Sequence, residues 1–229
     1  MVTSPIILAV DTDDLDIAKK WIGLTSQYVG VYKLGLEFFL KFGLSGVKEV
    51  KSETDCDIFL DLKLHDIPNT VSKAASQVAS INPAFLTVHA SGGKAMVNAT
   101  VKALPKTRIT AVTILTSLDQ RDLEEIGFIG DSQSRAQELA KLAVNAGAQA
   151  VVCSPQEIAV IREVVPREIS IITPGVRPIG DNKEDDQKRT MDPKAAVAAG
   201  ADYLVIGRPI TQAEDINKAA REIFNEVMQ

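Results

Sequence analysis

The sequence predicts an α/β fold, a closed (β/α)8 TIM barrel in a single domain over residues 1–229. Three observations carry that expectation: short β-branched apolar runs recur down the whole chain, amphipathic stretches separate them, and no linker rich in Pro, Gly or Ser divides the 229 residues. Strands that are apolar on both faces and always separated by a helix belong to a parallel sheet covered all round by helices. Eight such units in this length suit a barrel, with an open doubly wound sheet as the main rival.

In chain order, the first run covers residues 6–10 and stops at Asp11. It has no preceding Lys or Arg and is too short for a signal peptide. Residues 15–22 follow with apolar side chains three and four positions apart, the period of a helix. The run 29–33 ends on Lys33, and Phe38, Phe39 and Trp21 fall at helical apolar positions that read as core. Run 58–61 opens into the densest charge cluster of the chain, and 71–80 reads as the next helix. Strand 85–89 ends on His89 and precedes a helix at 95–104. Strand 109–115 leads to Thr116 and Ser117, and 118–126 looks like a short helix that Ser117 could start. Helix 134–145, strand 150–153, helix 156–165 and strands 169–173 and 203–206 complete the set. Asn145-Ala146-Gly147-Ala148 and Ala198-Ala199-Gly200-Ala201 each put a glycine where a helix needs a left-handed C-cap before a strand. The polar stretch 177–192 cannot bury much apolar area and reads as a mobile loop, either a plain solvated insertion or a functional one.

Composition narrows the function. With 25 Lys plus Arg against 30 Asp plus Glu, the net charge is -5, and no basic block is present to neutralise nucleic acid or an anionic membrane. No segment reaches transmembrane length. The two cysteines, Cys56 and Cys153, match neither a disulfide framework nor a zinc spacing, which points to a reducing, cytoplasmic compartment. Asp11-Thr12-Asp13-Asp14 stands where a dinucleotide fingerprint would need glycines, so nicotinamide and flavin chemistry is disfavoured.

In a barrel of this type the active site lies at the C-terminal ends of the strands. The richest such end is Asp61-Leu62-Lys63-Leu64-His65-Asp66. Alternation along an extended strand would point Asp61 and Lys63 into the barrel mouth while Leu60 and Leu62 face the helices. With Asp66 further along and Lys33 arriving from the neighbouring strand, Asp, Lys, Asp and Lys could alternate in space. An ammonium between carboxylates stays protonated and suits proton donation. The competing reading is a buried ion network that only fixes the rim, although such networks add little net stability.

A second site is expected at the other end of the chain. Gly207 lets backbone N–H groups approach an anion and Arg208 can fork onto two oxygens, with Pro174-Gly175-Val176-Arg177 supplying the same chemistry after the seventh strand. A phosphorylated substrate is the natural inference; for either motif alone, a turn glycine beside a surface arginine would suffice. His89 and His65 are open between rim residues and catalysts, and neither suggests a metal site. Asp11, Thr116 and Ser117 could bind substrate hydroxyls or amides, though Ser and Thr also cap helices.

With Asp61-Leu62-Lys63-Leu64-His65-Asp66-Ile67-Pro68-Asn69-Thr70 in view, the chain resembles the orotidine 5'-phosphate decarboxylase family over its whole length. Asp11, Lys33 in Tyr32-Lys33-Leu34-Gly35, Leu115-Thr116-Ser117, Pro174-Gly175-Val176-Arg177, Gln187 and Gly207-Arg208 stand in that family's order. The resemblance implies decarboxylation of orotidine 5'-monophosphate to uridine 5'-monophosphate in de novo pyrimidine biosynthesis, without metal or organic cofactor. It implies that Lys63 stabilises and then protonates C6, that Asp61 crowds the substrate carboxylate, and that Lys33 and Asp66 hold Lys63 in register. Asp11 and Thr70 would hold ribose hydroxyls, and Thr116 with Ser117 would read the pyrimidine amide. Arg177, Gln187, Gly207 and Arg208 would grip the 5'-phosphate, with the loop around 177–192 closing over it. Residues Asp66, Ile67, Pro68, Asn69 and Thr70 would reach into a partner subunit's site, making a homodimer the functional unit. The alternatives are a metal-dependent sugar-phosphate decarboxylase of a sister group, which has an acidic metal ligand where Lys33 stands here, and a non-catalytic phosphate-binding barrel.

Overall fold

The computed structural model describes residues 4–177 and 190–228. Its strands are β1 (Ile6–Ala9), β2 (Val31–Leu34), β3 (Asp57–Leu64), β4 (Phe85–His89), β5 (Arg108–Val112), β6 (Ala150–Val152), β7 (Ser170–Thr173) and β8 (Tyr203–Ile206). All pair in parallel with their sequence neighbours, and β8 returns to β1 to close the barrel. The open-sheet rival is thereby excluded. Helices α1 (Leu15–Thr25), α2 (Leu36–Ser52), α3 (Pro68–Gln77), α4 (Gly93–Ala103), α5 (Gln120–Glu125), α6 (Ser132–Asn145), α7 (Ile158–Arg162), α8 (Pro193–Ala199), α9 (Arg208–Thr211) and α10 (Ile216–Met228) surround it. Among the described residues no helix is long and apolar enough to cross a membrane.

Local chemistry sets the helix ends. Asp14 caps α1 by accepting the backbone N–H groups of Asp16 and Ile17. Asp119, not Ser117, caps α5 through a reciprocal box with Asp122, so the short helix starts later than the sequence suggests. The carboxylate of Asp119 accepts from both Arg121 and Asp122, a stronger hold than one serine hydroxyl provides. Gly147 and Gly200 take φ of 98° and 110°, as the two matching joins require.

The apolar side chains fall into two shells because successive strand residues face opposite sides. Ile7, Val31, Phe59, Phe85, Ala150 and Ile172 fill the lumen. Ile6, Leu8, Tyr32, Leu60, Leu86 and Ile171 face the helices, joined by Phe38 and, partly buried, Phe39. Each fully buried large aliphatic or aromatic side chain contributes roughly 1.5–3 kcal/mol. The shells therefore outweigh any surface ion pair, worth about 1 kcal/mol at most.

Two polar devices brace the N-terminal side of the barrel. Arg108 lies with its guanidinium 3.8 Å from the centre of the Phe85 ring, and its Nη1 donates to the Tyr203 hydroxyl at 3.3 Å. Arg162 donates to the carbonyls of Ile169 (3.0 Å) and Gly200 (2.9 Å) and pairs with Asp202, whose carboxylate also accepts from Ile171 N–H at 2.7 Å. That clamp spans the segments leading into β7 and β8.

Candidate active site

Strand β3 is the element that makes the site. Its pairing with β4 jumps from Leu60↔Leu86 to Leu64↔Val88, four steps on β3 against two on β4. The strand therefore bulges as it reaches the mouth, and Lys63 takes φ of 47°. Regular alternation was the sequence expectation for this stretch; the structure replaces it with a bulge, yet still brings Asp61 and Lys63 together. A non-glycine residue in the left-handed region costs on the order of 1–3 kcal/mol and persists only where the surroundings over-determine it. Leu60, Leu62 and Leu64 pack against the helix-side core, which anchors the outer face of the bulge.

The charges form a chain. Lys63 Nζ lies 2.9 Å from both carboxylate oxygens of Asp61. Lys33 Nζ, from β2, stands 3.5 Å from Asp61 Oδ2 and 3.2 Å from Asp11 Oδ1. The order is Asp11, Lys33, Asp61, Lys63: within the single chain Asp11 ends the alternation beside Lys33, at the opposite end from the place beside Lys63 expected for Asp66. Burial alone would raise the Asp61 carboxyl, but Lys33 and Lys63, with hydrogen bonds from Lys63 and Thr87, hold it below the ordinary carboxylate range. Burial alone would lower Lys33, and the charges of Asp61 and Asp11 overcome it and raise the ammonium above its ordinary value. Both groups thus keep their charge in a site where each is almost out of solvent.

Thr87 on β4 was not singled out by the sequence. It is fully buried, donates to Asp61 Oδ1 at 2.9 Å and accepts from Lys63 N–H at 2.8 Å. Its signal was available in principle: Phe85, Thr87 and His89 share the inner face of β4, and a buried hydroxyl asks for a partner.

A cavity of about 420 Å³ opens from this chain of charges across the mouth. Asp11, Lys33, Asp61 and Lys63 line one side, and Arg177, Gly207 and Arg208 line it too, with Thr116 and Leu115. Ser117 and the segment from His65 to Thr70 are not among its lining residues in the single chain. Residues 65–70 are all exposed, and Asp66 accepts the N–H of Ile67 at 2.6 Å. Trp21, expected as core, packs partly on the core and also lines the cavity. His89 is half-buried beside His65, with ring centres 5.4 Å apart, and burial, then His65, then Lys63 lower its pKa. Gln187 and most of the expected loop fall outside the described residues; Arg177 N–H donates to the Met191 carbonyl at 3.0 Å and Met191 N–H to Gly175 at 3.2 Å, which ties the two flanks together.

A (β/α)8 barrel whose C-terminal mouth joins an alternating acid and lysine chain to two arginines has the layout of a barrel enzyme acting on an anionic substrate. Comparison with known proteins narrows that class. The family model described as orotidine 5'-phosphate decarboxylase / HUMPS family matches residues 4–223. The orotidine 5'-phosphate decarboxylase of Thermobifida fusca (strain YX) is 50% identical over 226 residues, covering 99% of this chain and 97% of that protein. That of Ehrlichia chaffeensis is 45% identical, covering 98% and 97%. The crystal structure of orotidine 5'-phosphate decarboxylase from Lactobacillus acidophilus superposes with a TM-score of 0.86 at 32% identity, covering 99% of this chain and 100% of that one. The chain belongs to the orotidine 5'-phosphate decarboxylase / HUMPS family.

Proposed function

We infer that the chain decarboxylates orotidine 5'-monophosphate to uridine 5'-monophosphate and CO2, in pyrimidine biosynthesis. The observation that carries the reading is the Lys33–Asp61–Lys63 chain, with Lys63 Nζ 2.9 Å from Asp61, in a cavity that also reaches Arg208. The C6–carboxylate bond breaks and leaves its electron pair on C6, where no adjacent π system spreads it fully. A preorganised ammonium about 4 Å away at an effective dielectric of about 20 is worth roughly 4 kcal/mol to that charge. Lys63 supplies it and then gives C6 a proton. Asp61 crowds the substrate carboxylate, raising the bound ground state relative to the transition state. Lys33 holds Asp61 charged, and no cofactor enters the scheme.

The remaining roles follow the same division. Arg208, Gly207, Arg177 and Gln187 hold the 5'-phosphate, and binding energy from that remote group appears in turnover. Asp11 holds a ribose hydroxyl, and Thr116 with Ser117 reads the pyrimidine amide. The functional unit is a homodimer of single-domain cytoplasmic chains. Residues 66–70, with Asp66 as partner of Lys63 and Thr70 on the ribose, act in the opposite subunit's site; the exposure of Ile67 in the single chain, 65%, supports this. The product is the second small-molecule partner, with neither nucleic acid nor membrane involved.

The test is loss of orotidine 5'-monophosphate ultraviolet absorbance on adding purified protein, with and without excess chelator. Equal turnover in both arms is expected. Loss of turnover with chelator, restored by magnesium, would favour the metal-dependent sister group.

A further inference from the structure

The inner face of β4 presents Phe85, Thr87 and His89 to the lumen, and Thr87 ties the Asp61 carboxylate to the Lys63 backbone, beside the direct contact of Lys63 Nζ with Asp61. Its one hydroxyl proton goes to Asp61 Oδ1 at 2.9 Å, and its lone pair takes the backbone N–H of Lys63 at 2.8 Å. That N–H belongs to the bulge, where β3 and β4 have lost register, so the ladder leaves it to a side chain. Lys63 meanwhile sits at a backbone angle that a lysine does not hold without support. Because Thr87 is β-branched, fully buried and anchored on a regular strand, its hydroxyl has little freedom to drift.

We propose that Thr87 is a positioning residue for the decarboxylation: it fixes the Asp61 carboxylate relative to the Lys63 backbone, so that ammonium and carboxylate are in register before substrate arrives. The proposal rests on the assignment of Lys63 and Asp61 as the reacting pair. The charged and titratable groups around Asp61 are Lys33, Lys63 and, further off, His89. Loss of the hydroxyl therefore removes one of several groups that favour its ionised form, along with its place in space.

The experiment is a graded series at one position: Thr87→Ser keeps the hydroxyl, Thr87→Cys offers a weak donor of similar size, and Thr87→Val keeps the shape without a donor. A misplacement of about 1 Å in a reacting group costs roughly 10²-fold. We expect kcat to fall about that far in Thr87→Val, less in Thr87→Cys and least in Thr87→Ser. KM and product affinity should stay within about threefold, since the phosphate grip is untouched. The acid limb of kcat should move to higher pH in Thr87→Val, a shift that a packing role would not produce. Equal kcat and an unmoved acid limb across the series, in variants with native melting behaviour, would overturn the proposal, as would equal losses in Thr87→Ser and Thr87→Val. If Thr87→Val does not fold, the Ser and Cys variants carry the same comparison. A Lys63→Ala control separates the two levels of inference. Near-wild-type turnover there overturns the reading on which Thr87 depends, whereas a dead Lys63→Ala beside a fully active Thr87→Val overturns Thr87 alone.

Discussion

At the N-terminal end of the barrel, Arg108 lies across the ring of Phe85 and donates to Tyr203, while at the C-terminal end Asp11, Lys33, Asp61 and Lys63 pair in alternation around a 420 Å³ cavity. Strands β4, β5 and β8 supply the floor, and β2, β3 and the segment after β1 supply the charges of the mouth. At the floor, a single cation is satisfied by an aromatic face and one hydroxyl, an arrangement worth about 0.5–2 kcal/mol with nothing left to react. At the mouth, four charges are gathered, two of them, Lys33 and Asp61, nearly out of solvent where desolvation offsets part of their attraction, and Lys63 is held at φ 47° besides. The contrast teaches that the mouth is organised at the expense of stability and the floor for it.

The largest expected effect breaks the mouth alone. Lys63→Ala should lower kcat by on the order of 10⁴-fold or more, since it removes both an electrostatic and a proton-donating contribution, and should leave the melting temperature nearly unchanged. At the other end, Arg108→Met should cost about 1 kcal/mol or slightly more, a fall of several degrees, with kcat within about twofold. If Arg108→Met depressed kcat as steeply as Lys63→Ala, the two ends would not be separable.

The next effect asks whether the mouth belongs to one chain. If Lys63 acts in its own site and Asp66 in its partner's, mixing Lys63→Ala and Asp66→Ala chains puts both lesions in one site of each heterodimer and neither in the other. Random exchange gives about half heterodimers, each with one good site of two, so about a quarter of wild-type activity should return from two nearly inactive parents. The assay is decarboxylation after unfolding and refolding the mixture. Activity that stayed at the parental level despite proven exchange would return Asp66 to its own chain.

A smaller loss should come from the phosphate side. Arg208→Ala should reduce kcat/KM by roughly 10²-fold, the scale of one or two charged hydrogen bonds. With the nucleoside lacking phosphate, already a poor substrate, the same change should matter little. An equal loss with that substrate would place Arg208 in the fold or on the ring.

The smallest effect is in stability and pH. Asp61 has a folded pKa below its ordinary value of 3.8, so its contribution is present above that value and fades as pH falls through the lower folded one. Lys33 is raised above 10.5, so its contribution is present below that value and is lost only as pH rises through the higher folded one. Thermal melting of wild type against Asp61→Asn should therefore show a gap that is constant from about pH 5 to 9 and narrows below about pH 4. A gap that widened in acid would reverse the sign assigned to Asp61.

Much of this site is legible in the sequence. Acids and lysines at the ends of apolar runs mark the mouth of a barrel, so Asp11, Lys33, Asp61, Lys63 and Arg208 could be named from position. The bulge could not, because two residues of the same face read alike whether the strand between them is straight or bulged. Thr87 hid for a related reason: threonine is an ordinary strand residue, and only the register of β3 against β4 reveals that its hydroxyl meets Asp61 and Lys63. Ser117 misled as a helix start since Asp119, two residues on, is the better cap. Asp66 follows Lys63 by three residues, yet within one chain it is exposed and outside the cavity lining, and the charge chain ends on Asp11 beside Lys33.

The Arg162 clamp bears on the entropy of closing the barrel. Closing the barrel means joining β8 to β1, a pairing across nearly the whole chain and the most expensive loop in entropy that the fold has to make. Among the described residues, Ile172↔Tyr203 and Thr173↔Leu204 are the only pairs between β7 and β8, a short ladder beside that seam. Arg162, gripping the carbonyls ahead of both strands and the carboxylate of Asp202, adds contacts up to 40 residues apart in sequence to this short ladder, which cost less loop entropy than the seam between β8 and β1.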